Sequence, residues 1–108
     1  MKYFRVKIGF GKDDFLSVDE TELDMAMRAQ ITGRVGVFRE GTISGKHIMS
    51  IRPDFNRELG IAREYELVSE DYKELGSKRV EEYRDFLEGA KHRVEGQLGA
   101  GNKFLELE

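Results

Sequence analysis

The chain has no cysteine and no tryptophan, and its 108 residues include only one proline and two histidines. Without cysteine, disulfide bonds, thiolate metal sites and cysteine nucleophiles are excluded. No apolar run approaches the roughly 20 residues that a membrane-spanning helix needs. Met1 to Tyr3 lead directly into a strand pattern, without the apolar block of a signal peptide. We therefore expect a cytoplasmic protein that is not bound to a membrane.

Neither sign of charge dominates the sequence. Residues 1–60 carry ten Lys and Arg against nine Asp and Glu, and residues 61–108 carry eight against twelve, so the net charges are +1 and −4. Proteins that bind duplex nucleic acid non-specifically usually have a strong basic excess, which is missing here. The length fits one domain with a small core, and so small a core favours self-association into a homo-oligomer.

The first part of the sequence predicts a hairpin of two strands. Apolar side chains alternate with other residues over positions 3–10, so one strand face is basic and the other carries Phe4, Val6, Ile8 and Phe10. The chain then turns at Gly9 to Asp14. Phe15–Val18 follows as a second, antiparallel strand.

A helix is predicted over residues 20–31. Asp19 is placed as its N-cap, and Glu22 stands three residues on, where a capping box requires it. Apolar residues recur every four positions from Leu23, which gives the helix one buried face. Gly33 is a natural end for this helix.

The stretch GRVGVFREGTISGKHIMSIRPD is the strongest indication of a sheet. Val35–Phe38 is predicted as one strand, and Glu40-Gly41 as the turn that reverses the chain. The second strand follows as far as Arg52, with a bulge at Gly45-Lys46. Pro53 ends it, because proline has no N–H for a ladder.

The remaining sequence is predicted to be helical, in three pieces and a tail. A helical turn at Asp54–Leu59 is followed by a short helix at Ser69–Leu75 and by a longer helix that begins at Ser77. Apolar residues keep helical spacing from Val80 to Val94, so the longer helix has one apolar face. From residue 96 onward, glycines without periodicity indicate a flexible tail, and Leu107-Glu108 is typical of an expression-tag remnant.

The predicted fold class is therefore α+β. We expect a small antiparallel sheet of about four strands in ββαββ order, with a helix after the second strand and C-terminal helices packed on one face. Residues 1–95 are expected to form a single domain, and residues 96–108 the flexible Gly-rich tail.

Two glycine-rich segments resemble catalytic motifs but lack their context. Gly9 to Lys12 resembles a phosphate-binding loop, but such a loop continues into a helix, whereas Asp13, Asp14 and a strand follow here. Residues 41–45 read G-x-x-S-G, not the G-x-S-x-G of a serine nucleophile elbow. We predict no catalytic residue, no cofactor and no bound metal.

A weaker match concerns metal-dependent nucleases. Pro53-Asp54 and the later Asp71-x-Lys73 have the bare spacing of their motif, which places two carboxylates on a divalent cation and a lysine near the attacking water. Asp71 and Lys73, however, fall in the first turn of a predicted helix, where residues i and i+2 point apart. The nuclease is therefore the least favoured hypothesis.

Basic residues on the predicted strands indicate a surface for a partner. If the strands are neighbours, their cations share one sheet face with an aromatic residue at its edge. Such faces bind single-stranded nucleic acid through phosphate pairing and base stacking, although a solvated face with cross-strand charge pairs gives the same pattern. The predicted partner surface consists of Tyr3, Arg5, Lys7, Arg34, Arg39, Lys46 and Arg52.

The segments KIGFGKDDFLSVDETEL and VFREGTISGKHIMSIRPDFNRELG resemble small proteins of bacteriophages, prophages and other mobile elements of Gram-positive bacteria. The similarity covers residues 3–75. It implies a small accessory protein of phage–host conflict or replication, and it carries no activity, cofactor or site residue over to this chain. The favoured function is a non-catalytic binding or adaptor protein with a macromolecular partner, protein before nucleic acid. A single-stranded nucleic-acid binder is the alternative.

Overall fold

The structure, a computed structural model, describes residues 1–11, 14–60 and 75–107, with side chains for all of these except 99–107. These residues form two small antiparallel sheets with helices between and after the strands, which confirms the α+β class. The helix predicted at 69–75 lies, apart from its last residue, outside the described residues. The elements are β1 (Tyr3–Lys7), β2 (Phe15–Asp19), α1 (Leu23–Thr32), β3 (Val35–Phe38), β4 (Gly41–Ser44), a 3-10 turn (Gly45–His47), β5 (Ser50–Pro53), α2 (Phe55–Leu59) and α3 (Ser77–Leu107).

The larger sheet has β1 at its centre, in the order β2-β1-β5, and both strand pairs are antiparallel. Phe4 and Val6 point to the core and are fully buried. Arg5 stands opposite Ser17 on β2 and opposite Arg52 on β5, so these three residues share the other face. The predicted division of β1 into an apolar and a basic face is thus confirmed at the level of the backbone.

β1 ends at Lys7, three residues earlier than the alternation predicts. The N–H of Ile8 donates to the carbonyl of Asp14 (2.9 Å), and the carboxylate of Asp14 accepts the N–H of Gly11 (2.8 Å). These bonds close a loop between β1 and β2. Phe10 lies in this loop and is 93% exposed, so it does not extend the buried face of the strand.

β3 and β4 form a separate two-stranded sheet, whereas we predicted one sheet of about four strands. Phe38 pairs with Gly41, so the tight turn consists of Arg39 and Glu40 and lies one residue earlier than predicted. The order of elements becomes ββαβββ, because the predicted long strand after the turn is two short strands in different sheets.

Gly45 is the point at which that predicted strand divides. A side chain cannot fit there, because a Cβ would lie 1.7 Å from the carbonyl oxygen of Ala29 on α1. The N–H of Gly45 donates to the carbonyl of Arg34 at 2.8 Å, and the 3-10 turn then leads the chain to β5, which pairs with β1. β5 ends at Pro53, as predicted.

The C-terminal end of α1 follows the capping pattern of the sequence, but its start does not, because the residue before the helix is Glu22 and not the predicted Asp19. The carboxylate of Asp19 accepts the N–H of Glu22 (3.2 Å), and the carboxylate of Glu22 accepts the N–H of Asp19 (3.3 Å). This exchange has the hydrogen bonds of a capping box, but it closes a turn ahead of the helix, in which the carbonyl of Asp19 accepts the N–H of Glu22 (3.1 Å). The regular helix starts at Leu23, three residues later than predicted. Gly33 ends the helix with φ 73°, and its N–H donates to the carbonyl of Ala29 at 2.8 Å.

The long helix α3 buries its apolar face, as predicted. The ring of Phe4 lies 5.4 Å from the ring of Tyr83 and 5.9 Å from that of Phe86, measured between centroids. Ala90 and Val94 are fully buried one and two turns further along. α3 therefore covers the core side of the larger sheet and leaves the opposite side to other groups.

The α3 backbone is helical to Leu107, well beyond residue 96, and the flexibility of this segment stays a prediction. Glycine lowers helix stability by about 1 kcal/mol relative to alanine. It does not stop the helix by itself, because each further residue still adds one backbone hydrogen bond. Glycines without a capping conformation are thus a poor indication of a helix end.

Candidate functional site

The seven residues of the predicted partner surface lie in several different places. Lys7 and Arg52 border a groove on the outer face of the larger sheet, with Arg5 beneath them. Tyr3 lies at the opposite end of β1. The other three, Arg34, Arg39 and Lys46, belong to the β3–β4 hairpin and its connections.

Arg5 is buried, with only 7% of its surface exposed, so it is not one of the solvent-facing cations of the sheet. Its Nε lies 3.3 Å from Oδ1 of Asp54, and its guanidinium carbon lies 4.2 Å from the ring centre of Phe15. The other carboxylate oxygen of Asp54 accepts a hydrogen bond of 3.0 Å from the hydroxyl of Ser17. The buried arginine and the buried carboxylate therefore compensate each other's charge.

Tyr3 is covered by Arg57 of α2. The guanidinium carbon of Arg57 lies 4.3 Å from the ring centre of Tyr3, and Nη1 donates to the hydroxyl of Ser17 at 3.1 Å. The N–H of Tyr3 donates to the hydroxyl of Tyr83 (3.2 Å), which donates to the carboxylate of Glu58 (2.9 Å). Burial, together with the nearby Glu58 carboxylate, raises the pKa of Tyr83 well above its ordinary value. Tyr3 and Arg57 thus stabilise the fold, and no local pattern in the sequence marks Arg57.

Arg39 stabilises the start of α1. Its Nη1 lies 2.9 Å from Oδ2 of the buried Asp19. Burial acts to raise the pKa of Asp19, but hydrogen bonds from Thr21 and Glu22, together with the charge of Arg39, hold that pKa below its ordinary value. Arg39 therefore neutralises the carboxylate in the turn before α1, and its charge is already matched within the chain.

Arg34 and Lys46 lie together at the open end of the hairpin, away from its turn. Both are exposed. The side chain of Lys46 passes close to Gly33, where a Cβ would lie 3.2 Å from Lys46 Cγ. These two cations flank α1 and the 3-10 turn, whereas Lys7 and Arg52 lie on the larger sheet. The predicted surface is therefore not continuous.

A groove of about 380 Å³ lies along β1 and β5, beside the loop that follows β1. Its exposed apolar groups are Phe10, 93% exposed, and Met49, 48% exposed. Nζ of Lys7 donates to the carbonyl of Gly11 at 2.9 Å and so ties the strand end to the loop. Within the described part of the chain the lining has no acidic side chain. We call this feature the β5 groove, and its lining residues are Arg5, Lys7, Gly9, Phe10, Met49, Ser50 and Arg52.

The described residues offer no catalytic arrangement that matches the sequence motifs. Among them, no three His, Asp or Glu side chains lie close enough to hold a metal ion. Both carboxylate oxygens of Asp54 are engaged within the fold, and its predicted nuclease partners Asp71 and Lys73 lie outside the described residues. No helix in the described ranges has the length and apolar content to cross a bilayer.

Comparisons with known proteins identified no relative of this chain. A scan against protein-family models, a search of curated proteins and a search of solved structures each found no match to this chain. The β5 groove combines the exposed aromatic ring of Phe10 with the cations of Lys7 and Arg52.

Proposed function

We propose that this protein is a small non-catalytic binding protein, an adaptor of phage or mobile-element origin that acts in the cytoplasm and engages a partner protein through the β5 groove. The observation that carries the proposal is Phe10, an aromatic side chain 93% exposed, next to two cations. The resemblance of residues 3–75 to proteins of mobile elements supports the proposed origin.

The exposure of Phe10 favours a binding role. Large aromatic side chains dominate the energetics of protein interfaces, and their clusters mark interaction sites more often than single small apolar residues do. Burying Phe10 against a partner would contribute about 1.5–3 kcal/mol. The tie between Lys7 and the carbonyl of Gly11 holds the loop that presents it.

The charge of the β5 groove favours an acidic segment. Lys7 and Arg52 both line it, and no acidic side chain does so within the described residues. The charge of Arg5 beneath them is compensated by Asp54. A segment that carries Asp or Glu beside apolar residues would place its carboxylates near the two cations and its apolar side chains on Phe10 and Met49.

Single-stranded nucleic acid is the second candidate, and one observation favours it. Proteins bind single strands with aromatic rings on which bases stack and cations that meet the phosphates, and Phe10, Lys7 and Arg52 supply both. Two surface cations on a chain of net charge −3 give little long-range attraction to a polyanion. We therefore rank this candidate below a protein partner.

Selection from a random-peptide display library tests the proposal. The wild-type chain is the bait, and the groove variant Lys7→Glu/Phe10→Ala/Arg52→Glu is the counter-bait. Lys78→Glu/Lys91→Glu, which reverses two exposed cations on α3, is the matched control. We expect the wild type and the control to enrich the same acidic and apolar peptides, and the groove variant to lose them by at least roughly tenfold in affinity.

The same three proteins are titrated with a fluorescent single-stranded oligonucleotide at several salt concentrations. The proposal would be contradicted if the groove variant enriched the same peptides as the wild type. It would also be contradicted if the enriched peptides carried no acidic residues. Oligonucleotide binding that falls steeply with salt and is lost only in the groove variant would favour the second candidate instead.

A further inference from the structure

Among the residues that the structure describes, no strand meets the outer edge of β3. In the β3–β4 register, the carbonyl of Arg34 accepts the N–H of Gly45, so Gly36 and Phe38 also direct their backbone groups toward β4. The N–H and C=O groups of Val35 and Val37 then point away from β4. Within the described part of the chain, these outward groups make no hydrogen bond.

The side chains on this strand do nothing to discourage pairing. The strand reads VGVF and contains neither a charge nor a proline, the two devices that most often protect a sheet edge. Val35 is 64% exposed and Val37 is 66% exposed, although both are β-branched residues that favour sheets. A two-stranded sheet is only marginally stable by itself, and additional strands stabilise it.

The space beside this edge is open and largely apolar. A groove of about 170 Å³ runs between α1 and β3, where Met25, Val35 and Leu98 contribute apolar surface. Met25 is 50% exposed and Val35 is 64% exposed, so the groove opens directly onto the strand. A further strand can therefore approach β3 without displacing a described side chain from the core.

We propose that β3 pairs with β3 of a second copy of this chain, antiparallel about a two-fold axis at Gly36, to form a continuous four-stranded sheet. In this register Val35 of each copy stands opposite Val37 of the other. The outward N–H and C=O groups of these two residues then bond across the interface, and the valine side chains meet on one face. The interface is isologous, as in most homodimers.

The existing hydrogen bonds select this register. A shift by one residue would put side chains from opposite faces together. A shift by two residues in one direction would require the N–H of Arg39, which already donates to Glu22 at 2.9 Å. The shift in the other direction would require the N–H of Gly33, which already donates to Ala29 at 2.8 Å. The pairing about Gly36 uses only the outward groups of Val35 and Val37.

A second copy is a better occupant than an unrelated peptide, because the strand is complementary to itself. The register brings no like charges opposite each other, and the exposed valine of one copy covers the exposed valine of the other. An unrelated acidic segment, the partner proposed for the β5 groove, would find no cation on the strand itself. The pairing is independent of the β5 groove and would persist if that groove had no function.

Sedimentation equilibrium of three proteins tests the pairing. The wild type is expected to approach twice the monomer mass of 12.5 kDa as its concentration rises. Val35→Lys/Val37→Lys places lysine opposite lysine and should raise the dimer dissociation constant by roughly tenfold or more. Val35→Lys/Val37→Glu places lysine opposite glutamate twice, so at low salt it should dimerise more tightly than the double-lysine variant, by roughly tenfold.

Both variants change exposed side chains, so circular dichroism should show the same fold as for the wild type. A wild type that stays monomeric up to millimolar concentration would overturn the proposal, whether or not it binds an extended peptide at this edge. Equal dimerisation by the wild type and the double-lysine variant would also overturn it. A Val35→Lys/Val37→Glu variant as weak as the double-lysine variant would rule out the register about Gly36.

Discussion

β2 and β3 are both edge strands, but they differ in what accepts their outward backbone N–H groups. On β2 the outward N–H of Ser17 donates to the carboxylate of Glu40 (2.8 Å), and that of Asp19 donates to the carboxylate of Glu22 (3.3 Å). β3 has no such acceptor among the described residues. Carboxylates of the same chain thus accept the outward N–H groups of Ser17 and Asp19 on β2, which we call the closed edge. The outward groups of β3, which we call the open edge, have no partner among the described residues.

The β3–β4 hairpin contacts the larger sheet through side chains of its turn and does not pair with it. Glu40 belongs to the β3–β4 turn, so the turn caps β2 through a side chain and not through a ladder. The N–H of Arg39 in the same turn donates to Glu22, which also holds Asp19. The turn of the hairpin is therefore held to β2 and to the turn before α1 by hydrogen bonds. The outward backbone groups of β3 make no such bond within the described residues.

The largest effect should come from the buried ion pair of Arg5 and Asp54 on the outer face of the larger sheet, to which β2 belongs. Asp54→Ala leaves the guanidinium of Arg5 buried without its carboxylate, and we expect a loss of about 3–5 kcal/mol in the free energy of unfolding. Urea denaturation measures this loss, with Asp85→Ala at an exposed position of α3 as the control. The double variant Arg5→Met/Asp54→Leu should recover most of it. A loss below about 1 kcal/mol for Asp54→Ala would show that the pair does not hold the sheet.

The next effect concerns the cap on β2. Glu40→Ala removes the acceptor of the Ser17 N–H and should lower the free energy of unfolding by about 1–2 kcal/mol. Hydrogen exchange of the Ser17 amide should accelerate by more than that of the other β2 amides. Glu88→Ala, an exposed glutamate on α3, is the control. Unchanged exchange at Ser17 would mean that the edge is closed by something other than Glu40.

The closed edge should also be sensitive to acid. The pKa of Asp19 is lowered in the fold, so its carboxylate contributes stability above its ordinary pKa of 3.8. This contribution is lost as the pH falls from about 4 through the lowered value. Asp19→Asn should therefore flatten the decline of stability between about pH 5 and pH 2, measured by urea denaturation. A stability difference between the two proteins that is the same at every pH would contradict this assignment.

The smallest effect is expected at the open edge. Val35→Thr/Val37→Thr changes exposed side chains, so the unfolding free energy of a dilute, monomeric sample should move by no more than about 0.5 kcal/mol. Ile43→Val, on the buried face of the same hairpin, should cost about 0.5–1.5 kcal/mol. If the threonine variant were the less stable of the two, β3 would have to be covered within the monomer.

The local elements were predictable because their signals are local. Gly33 marks the end of α1 by residue type, and the spacing of apolar residues identifies the buried face of α3. The start of α1 was placed three residues too early, because the pattern of Asp19 and Glu22 also closes a turn ahead of a helix. The division of the sheet at Gly45 was not predictable, because it depends on a close approach to the backbone of Ala29. A bulge and a change of sheet give the same local pattern.

The candidate site was predictable only in part. Alternation correctly placed Arg5 and Lys7 on the outer face of β1. It could not show that Arg5 is buried against Asp54, 49 residues away, while Lys7 is only half-buried. Phe10 was assigned to the buried face, because alternation continues through the sequence after the strand has ended. The side chain that carries the proposed function was therefore the one that periodicity misplaced.

Tyr83 makes the attachment of α3 visible to spectroscopy. Its hydroxyl joins the helix to β1 and to α2, and its pKa is raised by burial. A protein without tryptophan has an ultraviolet spectrum dominated by its tyrosines, of which this chain has four. The stability that the protonated hydroxyl contributes is present below about pH 10 and is lost as the pH rises further. The tyrosinate absorbance of Tyr83 therefore reports when the long helix separates from the sheet.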